Sequence, residues 1–214
     1  MAGRAGPYHR FVKRPFDFVV VILCAPLCIL IITIVAILVR YNLGAPVFFT
    51  QTRPGLNGKP FKMVKFRTMT NARDENGALL SDSERLTRFG QQLRGTSLDE
   101  LPELWNVFKG DMSLVGPRPL LMEYLTRYDS VQSRRHEVRP GVTGLAQVMG
   151  RNLLEWKERI RTDVDYVNRC SFLLDLWIIY RTFVVVLRRD GISSLDVVTM
   201  KPFVGNDDDQ SDVK

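Results

Sequence analysis

Cysteine and histidine are scarce in this chain, with three cysteines and two histidines among 214 residues. Cys24 and Cys28 lie inside the most apolar stretch, far from Cys170, and an odd, scattered set of that kind excludes a disulfide framework and suits a reducing compartment. His9 and His136 are remote from the paired cysteines, so zinc spacing is missing too. No internal repeat is visible. No zinc finger, RNP-like aromatic motif or helix-turn-helix pattern is present, which ranks nucleic acid low as a partner. The glycine-rich stretch Arg139-Pro140-Gly141-Val142-Thr143-Gly144-Leu145-Ala146-Gln147 permits close backbone approach but lacks the Gly-Lys-Ser/Thr ending of a P-loop.

Negative charge is also in short supply. Lys and Arg number 30 against 23 Asp and Glu, a net charge of +7. Residues 207–214 hold four Asp and one Lys, net −3, which leaves +10 for the body. A body that basic expects an anionic partner: a phosphate ligand, an acidic membrane surface or nucleic acid. The tail itself reads as a solvated terminus over 205–214. With 45% hydrophobic and 25% charged residues, the remainder is globular in composition.

Charge disappears altogether from Phe18 to Val39, 22 residues. At ~1.5 Å per residue a straight helix of that length would cross a ~30 Å hydrocarbon core. Two features argue against a simple span. Arg4, Arg10, Lys13 and Arg14 precede the run and Arg40, Arg53, Lys59, Lys62 and Lys65 follow it, so both flanks prefer the cytoplasmic side. Pro26 inside the run removes an i to i−4 hydrogen bond and bends the helix. A re-entrant hairpin satisfies both facts, and a kinked span is the alternative. Asp17 is expected at headgroup depth beside Lys13 or Arg14 in either case. The first division of the chain is therefore a membrane segment over 1–41 followed by a catalytic or binding domain over 42–204.

That domain opens with alternation either side of a Gly/Pro turn at Arg53 to Pro60, which reads as a β-hairpin. Phe61, Met63, Lys65 and Arg67 share one strand face; Lys62, Val64 and Phe66 share the other. Thr70 to Asp82 reads as a loop, and helices are expected over Ser83–Leu93, from near Ser97, and over Glu123–Tyr128, Leu153–Asn168 and Phe172–Arg189. The fold class is mainly α with a small β-hairpin (α+β). In the last helix Asp175, Arg181 and Thr182 are the clearly polar groups from Phe172 to Leu187, and Asp175, Thr182 and Arg189 fall seven apart, so the helix either lies in a membrane interface or belongs to the core.

The stretch Arg94 to Val107 carries the most chemistry. Ser97-x-x-Glu100 matches a capping box, although Pro102 would then fall one position too deep, which leaves Asp99 as an alternative cap. Either arrangement puts two carboxylates at a helix N-terminus, where the dipole keeps a carboxylate ionised and free N–H groups favour phosphate. An ionised Asp beside a phosphate can act as a nucleophile while its neighbour positions metal or carries protons; a plain structural cap is the other reading. Lys65, Arg67, Arg94, Arg118, Arg139 and Arg151 are the basic groups available to a polyphosphate, and prolines restrict Arg118 from both sides.

Six motifs taken together resemble the bacterial sugar transferase family, in particular its small monotopic phosphoglycosyl transferases, among them the type that initiates N-linked glycan assembly on a polyprenyl carrier. They are Pro46-Val47-Phe48-Phe49-Thr50-Gln51, Lys65-Phe66-Arg67-Thr68-Met69, Ser97-Leu98-Asp99-Glu100-Leu101-Pro102, Lys109-Gly110-Asp111-Met112-Ser113, Gly116-Pro117-Arg118-Pro119 and Arg139-Pro140-Gly141-Val142-Thr143-Gly144. The resemblance implies a cytoplasm-facing catalytic core held at the bacterial inner membrane by a re-entrant helix and interfacial helices. It implies transfer of a sugar-1-phosphate from a UDP-sugar to undecaprenyl phosphate with release of UMP, and later glycosyltransferases as possible partners. Asp99 would be the nucleophile and a Mg²⁺ ligand, Glu100 would assist metal or proton handling, and Lys65, Arg94, Arg118 and Arg151 would hold the diphosphate or lipid phosphate. One departure is visible: the family's Ser-Pro break is Ala25-Pro26 here, about one turn earlier, with Ile29-Leu30 where the pair is expected. A non-catalytic nucleotide-sugar or lipid-phosphate binding module, or a scaffold, is the competing class.

Overall fold

A computed structural model describes residues 8–150, 154–188 and 202–205. Arg151, Arg189 and the acidic tail lie outside the described residues.

A π-helical turn at Tyr8–Val12 runs into α1, Lys13–Leu43, which is 31 residues long and apolar enough to cross a membrane by length and composition. The helix is continuous across Pro26 and stops at Gly44, whose φ of 76° and N–H to the Arg40 carbonyl (3.1 Å) turn the chain out of the helix. Both halves of α1 rest on one body. Val21 packs with Met63, Val107 and Met112, while Val35 and Val39 pack with Phe66 and Leu93. Between them, Ile22, Leu23, Leu27, Ile29 and Leu30 are exposed. Asp17 is buried in protein and accepts the Leu114 backbone N–H (3.2 Å). Its neighbour Arg14 donates to the Val107 and Phe108 carbonyls at 2.5 and 2.7 Å. The charged entrance of α1 is thus a joint with the body, because unfilled backbone groups at β-strand and helix ends need partners.

The expected hairpin is present as β1 (Phe48–Pro54) and β2 (Pro60–Phe66), paired antiparallel from Phe48↔Phe66 to Pro54↔Pro60. Asn57 and Gly58, both at positive φ, turn it. β2 divides two clusters: Met63 points into the one holding Val21, Phe66 into the one holding Val35 and Val39. The single helix expected over Ser83–Leu93 is two, α2 (Asp82–Arg85) and α3 (Arg88–Gly95). Ser81 and Glu84 form a capping box on α2, and the Thr87 hydroxyl, accepting the Gly90 N–H (3.1 Å), starts α3 afresh. α4 (Glu103–Lys109) follows the turn at Leu98–Glu100.

A second sheet escaped the sequence reading: β3 (Ser113–Val115) pairs parallel with β4 (Gly141–Thr143). The glycine-rich stretch serves this contact, so its close backbone approach is to other backbone. A Cβ on Gly116 would lie 2.3 Å from the Arg139 carbonyl oxygen, and one on Gly144 2.2 Å from that of Gly116. α5 (Leu145–Met149) starts directly afterwards. The expected helix near Glu123 is a 3-10 segment, Met122–Thr126, and another 3-10 segment spans Gln132–Glu137.

The chain closes with α6 (Trp156–Arg169) and α7 (Phe172–Arg188). The polar stripe of α7 points inward. Asp175, fully buried, accepts from the Tyr8 hydroxyl (2.6 Å) and the Tyr166 hydroxyl (2.7 Å) and pairs with Lys13. Thr182 meets the Thr143 hydroxyl at 2.7 Å. Outward, Leu173 and Phe183 are 76% and 66% exposed, beside Leu176, Trp177 and Tyr180. α7 therefore answers to both sequence alternatives: one face is core, and the other is apolar surface of the kind a lipid interface covers.

Candidate active site

Five of the six predicted site residues converge: Lys65 on β2, Arg94 in the last turn of α3, Asp99 and Glu100 in the Leu98–Glu100 turn, and Arg118 beyond β3 all line one cavity of about 1150 Å³. The sixth, Arg151, is outside the described residues.

The local fold at the carboxylates differs from a helix cap. Ser97 sits in the left-handed region (φ 57°, ψ 13°) and its side chain caps nothing, so the capping box does not form. The chain instead makes a 3-10 turn, with the Glu100 N–H on the Ser97 carbonyl (3.2 Å), and Pro102 occupies the position before α4. Asp99 consequently precedes α4 by four residues, out of reach of any benefit from that helix dipole, which fades within the first turn.

Charge pairing in this turn is uneven. Glu100 Oε1 accepts from Lys65 Nζ and from Arg118 Nη2, each at 2.7 Å. Lys65 Nζ also lies 3.0 Å from Glu103 Oε1, on the first turn of α4. Asp99 is only 8% exposed, yet among the described residues no side chain hydrogen-bonds or ion-pairs with it. The protonation equilibria follow. Burial, reinforced by the Glu100 charge, raises the Asp99 carboxyl to about 6, against the opposing pull of Lys65, Arg118 and Arg94. Burial would raise Glu100 as well, but the charges and hydrogen bonds of Arg118 and Lys65 outweigh it and hold that carboxyl far below the usual range. Glu103, 2% exposed, is pushed up by burial to about 7. Arg118 is held firmly protonated by Glu100, and burial lowers Arg94, whose Nε donates to Thr68 Oγ1 at 3.0 Å. Asp99 is thus a carboxylate with a raised affinity for protons that lines the cavity, next to one already paired through Oε1 with two cations.

Two basic candidates serve the fold instead. Arg67 spends its fork on the Ala45 carbonyl (3.0 Å) and the Leu43 carbonyl, closing the end of α1, and Arg139 Nε donates to the Gly110 carbonyl at 2.9 Å. Glu103 was missed; its i+3 spacing from Glu100 was the available signal. Among the described residues no three His, Cys, Asp or Glu side chains form a metal-holding group. What the site offers a hard cation is the single unengaged carboxylate of Asp99.

The family model "Bacterial sugar transferase" matches residues 8–189. An uncharacterized sugar transferase, EpsL, of Bacillus subtilis is 52% identical over 198 residues, covering 92% of this chain and 97% of that protein. The UDP-glucose:undecaprenyl-phosphate glucose-1-phosphate transferase of Xanthomonas campestris pv. campestris is 44% identical over 72% of this chain and 34% of its own length. The undecaprenyl-phosphate galactose phosphotransferase of Salmonella typhimurium is 38% identical over 85% of this chain and 42% of its own. The chain thus spans nearly all of the first relative and less than half of the other two. A family model matched over most of the chain, and a half-identical relative matched along almost its whole length, establish that the chain belongs to the bacterial sugar transferase family.

Proposed function

We propose that this protein is a membrane-associated phosphoglycosyl transferase that moves a sugar-1-phosphate from a UDP-sugar to undecaprenyl phosphate and releases UMP. The observation that carries the reading is the contrast at the turn: a buried, unengaged Asp99 beside a Glu100 locked between Lys65 and Arg118. In this scheme an Asp99 carboxylate oxygen forms a bond to the sugar-bearing phosphorus. The bond from that phosphorus to the bridging oxygen breaks, and its electron pair leaves with UMP. An oxygen of the acceptor phosphate then bonds to the same phosphorus, the aspartyl–phosphorus bond breaks, and the Asp99 carboxylate is regenerated. Glu100 orients Lys65 and Arg118 toward the phosphates, and Arg94 adds a third positive group. A Mg²⁺ held by Asp99 with diphosphate oxygens would supply charge neutralisation, and one carboxylate plus substrate phosphate is a common way for that ion to be held.

The surface supports delivery of a lipid acceptor. Phe18, Phe108 and Trp105 stack in a row at 5.4 and 5.6 Å, next to the exposed middle of α1, and the outward face of α7 is apolar. Contact of both α1 halves with one body favours re-entry, since a straight crossing would carry one end ~30 Å away to the far side. The catalytic body then faces the cytoplasm of the bacterial inner membrane.

The test is UMP release from a panel of UDP-sugars with undecaprenyl phosphate and Mg²⁺. Release is expected for at least one sugar, with a phospho-sugar adduct on the peptide holding residue 99. Product formation that persists in Asp99→Asn overturns the nucleophile. Cysteines introduced near residues 4 and 75 are expected to label from the same side; opposite sides overturn re-entry.

A further inference from the structure

Arg53, a cationic side chain that the chemistry at Asp99 does not use, lines the same cavity. Arg53 stands on the same face of the hairpin as Lys65, since the register pairs Phe49 with Lys65, Gln51 with Met63 and Arg53 with Phe61. It lines the cavity four residues further along, roughly 13 Å from Lys65 by strand geometry. Its Nη2 donates to Gln51 Oε1 (2.6 Å), its Nε is buried without a hydrogen-bond partner, and among the described residues no carboxylate forms an ion pair with it. α6 brings Arg159 to the lining of the same cavity. The charge of Arg118 is felt by both, and burial together with that repulsion lowers the proton affinity of each guanidinium. A half-buried guanidinium facing like charge, with its buried Nε vacant, is a group that an anion can complete.

We propose that Arg53 and Arg118 form a second phosphate subsite that holds the departing uridylate. The inference rests on the transferase reading and follows from the direction of displacement. Attack on phosphorus is in line, so the leaving oxygen lies on the side of the phosphorus opposite Asp99. Arg118 has Nη2 on Glu100 beside Asp99, and Arg53 lines the same cavity, so positive groups continue along its wall beyond the nucleophile. Negative charge grows there as the bridging bond breaks, and a planar two-pronged donor is suited to receive it.

The experiment measures UMP binding to the full-length protein in detergent, together with KM for UDP-sugar and for undecaprenyl phosphate, in wild type, Arg53→Lys and Arg53→Gln. Loss of a charge-assisted contact predicts UMP affinity weaker by about tenfold or more in Arg53→Gln, with partial recovery in Arg53→Lys. KM for UDP-sugar is expected to rise in parallel, KM for the lipid acceptor to hold, and the thermal transition not to fall. A rise confined to the lipid acceptor would assign the subsite to the lipid phosphate and overturn the proposal, as would no change in UMP affinity. If wild type binds UMP through Arg53 but releases none from any UDP-sugar, the transferase reading fails and the subsite stands.

Discussion

Two buried charge clusters line the same cavity and are built on opposite principles. At α6, Arg135 and Asp163 are both almost wholly buried and matched to each other: Nη2 and Nε reach Asp163 Oδ2 at 2.6 and 3.1 Å, and the remaining donors go to the Arg118 carbonyl (2.8 Å) and the Tyr128 hydroxyl (3.4 Å). At the Leu98–Glu100 turn the pairing stops one group short. Lys65 and Arg118 are engaged by Glu100 and Glu103, and Asp99 is left over. Complete pairing locks one arrangement in place, while a leftover charge is a cost that the fold bears and a substrate can relieve. Burial alone does not separate the two clusters; the number of unfilled partners does.

The contrast is sharpest in Asp99→Asn. Loss of a nucleophile predicts a fall in turnover of at least about 10³-fold. Stability should move the other way. The Asp99 pKa is raised from 3.8 to about 6, so between those values the folded protein holds a proton that the unfolded chain has released, and stability falls as pH rises through that window. At pH 7.5 the neutral amide escapes the penalty, and the thermal transition is expected to rise, by an amount on the order of 1–3 kcal/mol. A variant both inactive and less stable would break the comparison.

Asp163→Ala tests the other cluster. It strands the Arg135 guanidinium in a site that is 1% exposed and should cost about 3–5 kcal/mol, read as a lower urea midpoint at unchanged slope. Because Arg135 also holds the Arg118 carbonyl, some activity should be lost with it, but far less than in Asp99→Asn. If Asp163→Ala were as inactive as Asp99→Asn and no less stable, the division into structural and reactive clusters would be wrong.

How much of this was legible beforehand depends on whether a partner is local. The hairpin and the faces of its second strand could be read because alternation encodes them, and the set Lys65, Arg94, Asp99, Glu100 and Arg118 followed from the resemblance of the motifs to the sugar transferase family. The roles of Arg67 and Arg139 could not. A guanidinium matches a backbone carbonyl as well as it matches phosphate, and the carbonyls they take, at residues 43, 45 and 110, are 22 to 29 residues away. The Ser97 capping box does not form because α4 begins only after Pro102 and Ser97 enters the preceding 3-10 turn at positive φ. The close backbone approach that the glycine-rich stretch permits is made to Gly116, across a parallel pairing that no local pattern announces.

The finest test of the contrast is the acid limb of the pH–rate profile. The reactive form of Asp99 is the ionised one, so activity should fall as pH drops through about 6, approaching tenfold per unit below it. Glu100 has no part in that limb, because Lys65 and Arg118 keep it ionised well below the range. Glu103, raised to about 7, is the competing source. Glu103→Gln keeps an acceptor for Lys65 and removes the titration, so a limb that stays near 6 in this variant belongs to Asp99. A limb that vanishes would transfer it to Glu103, and the leftover charge of this cluster would then be the wrong carboxylate.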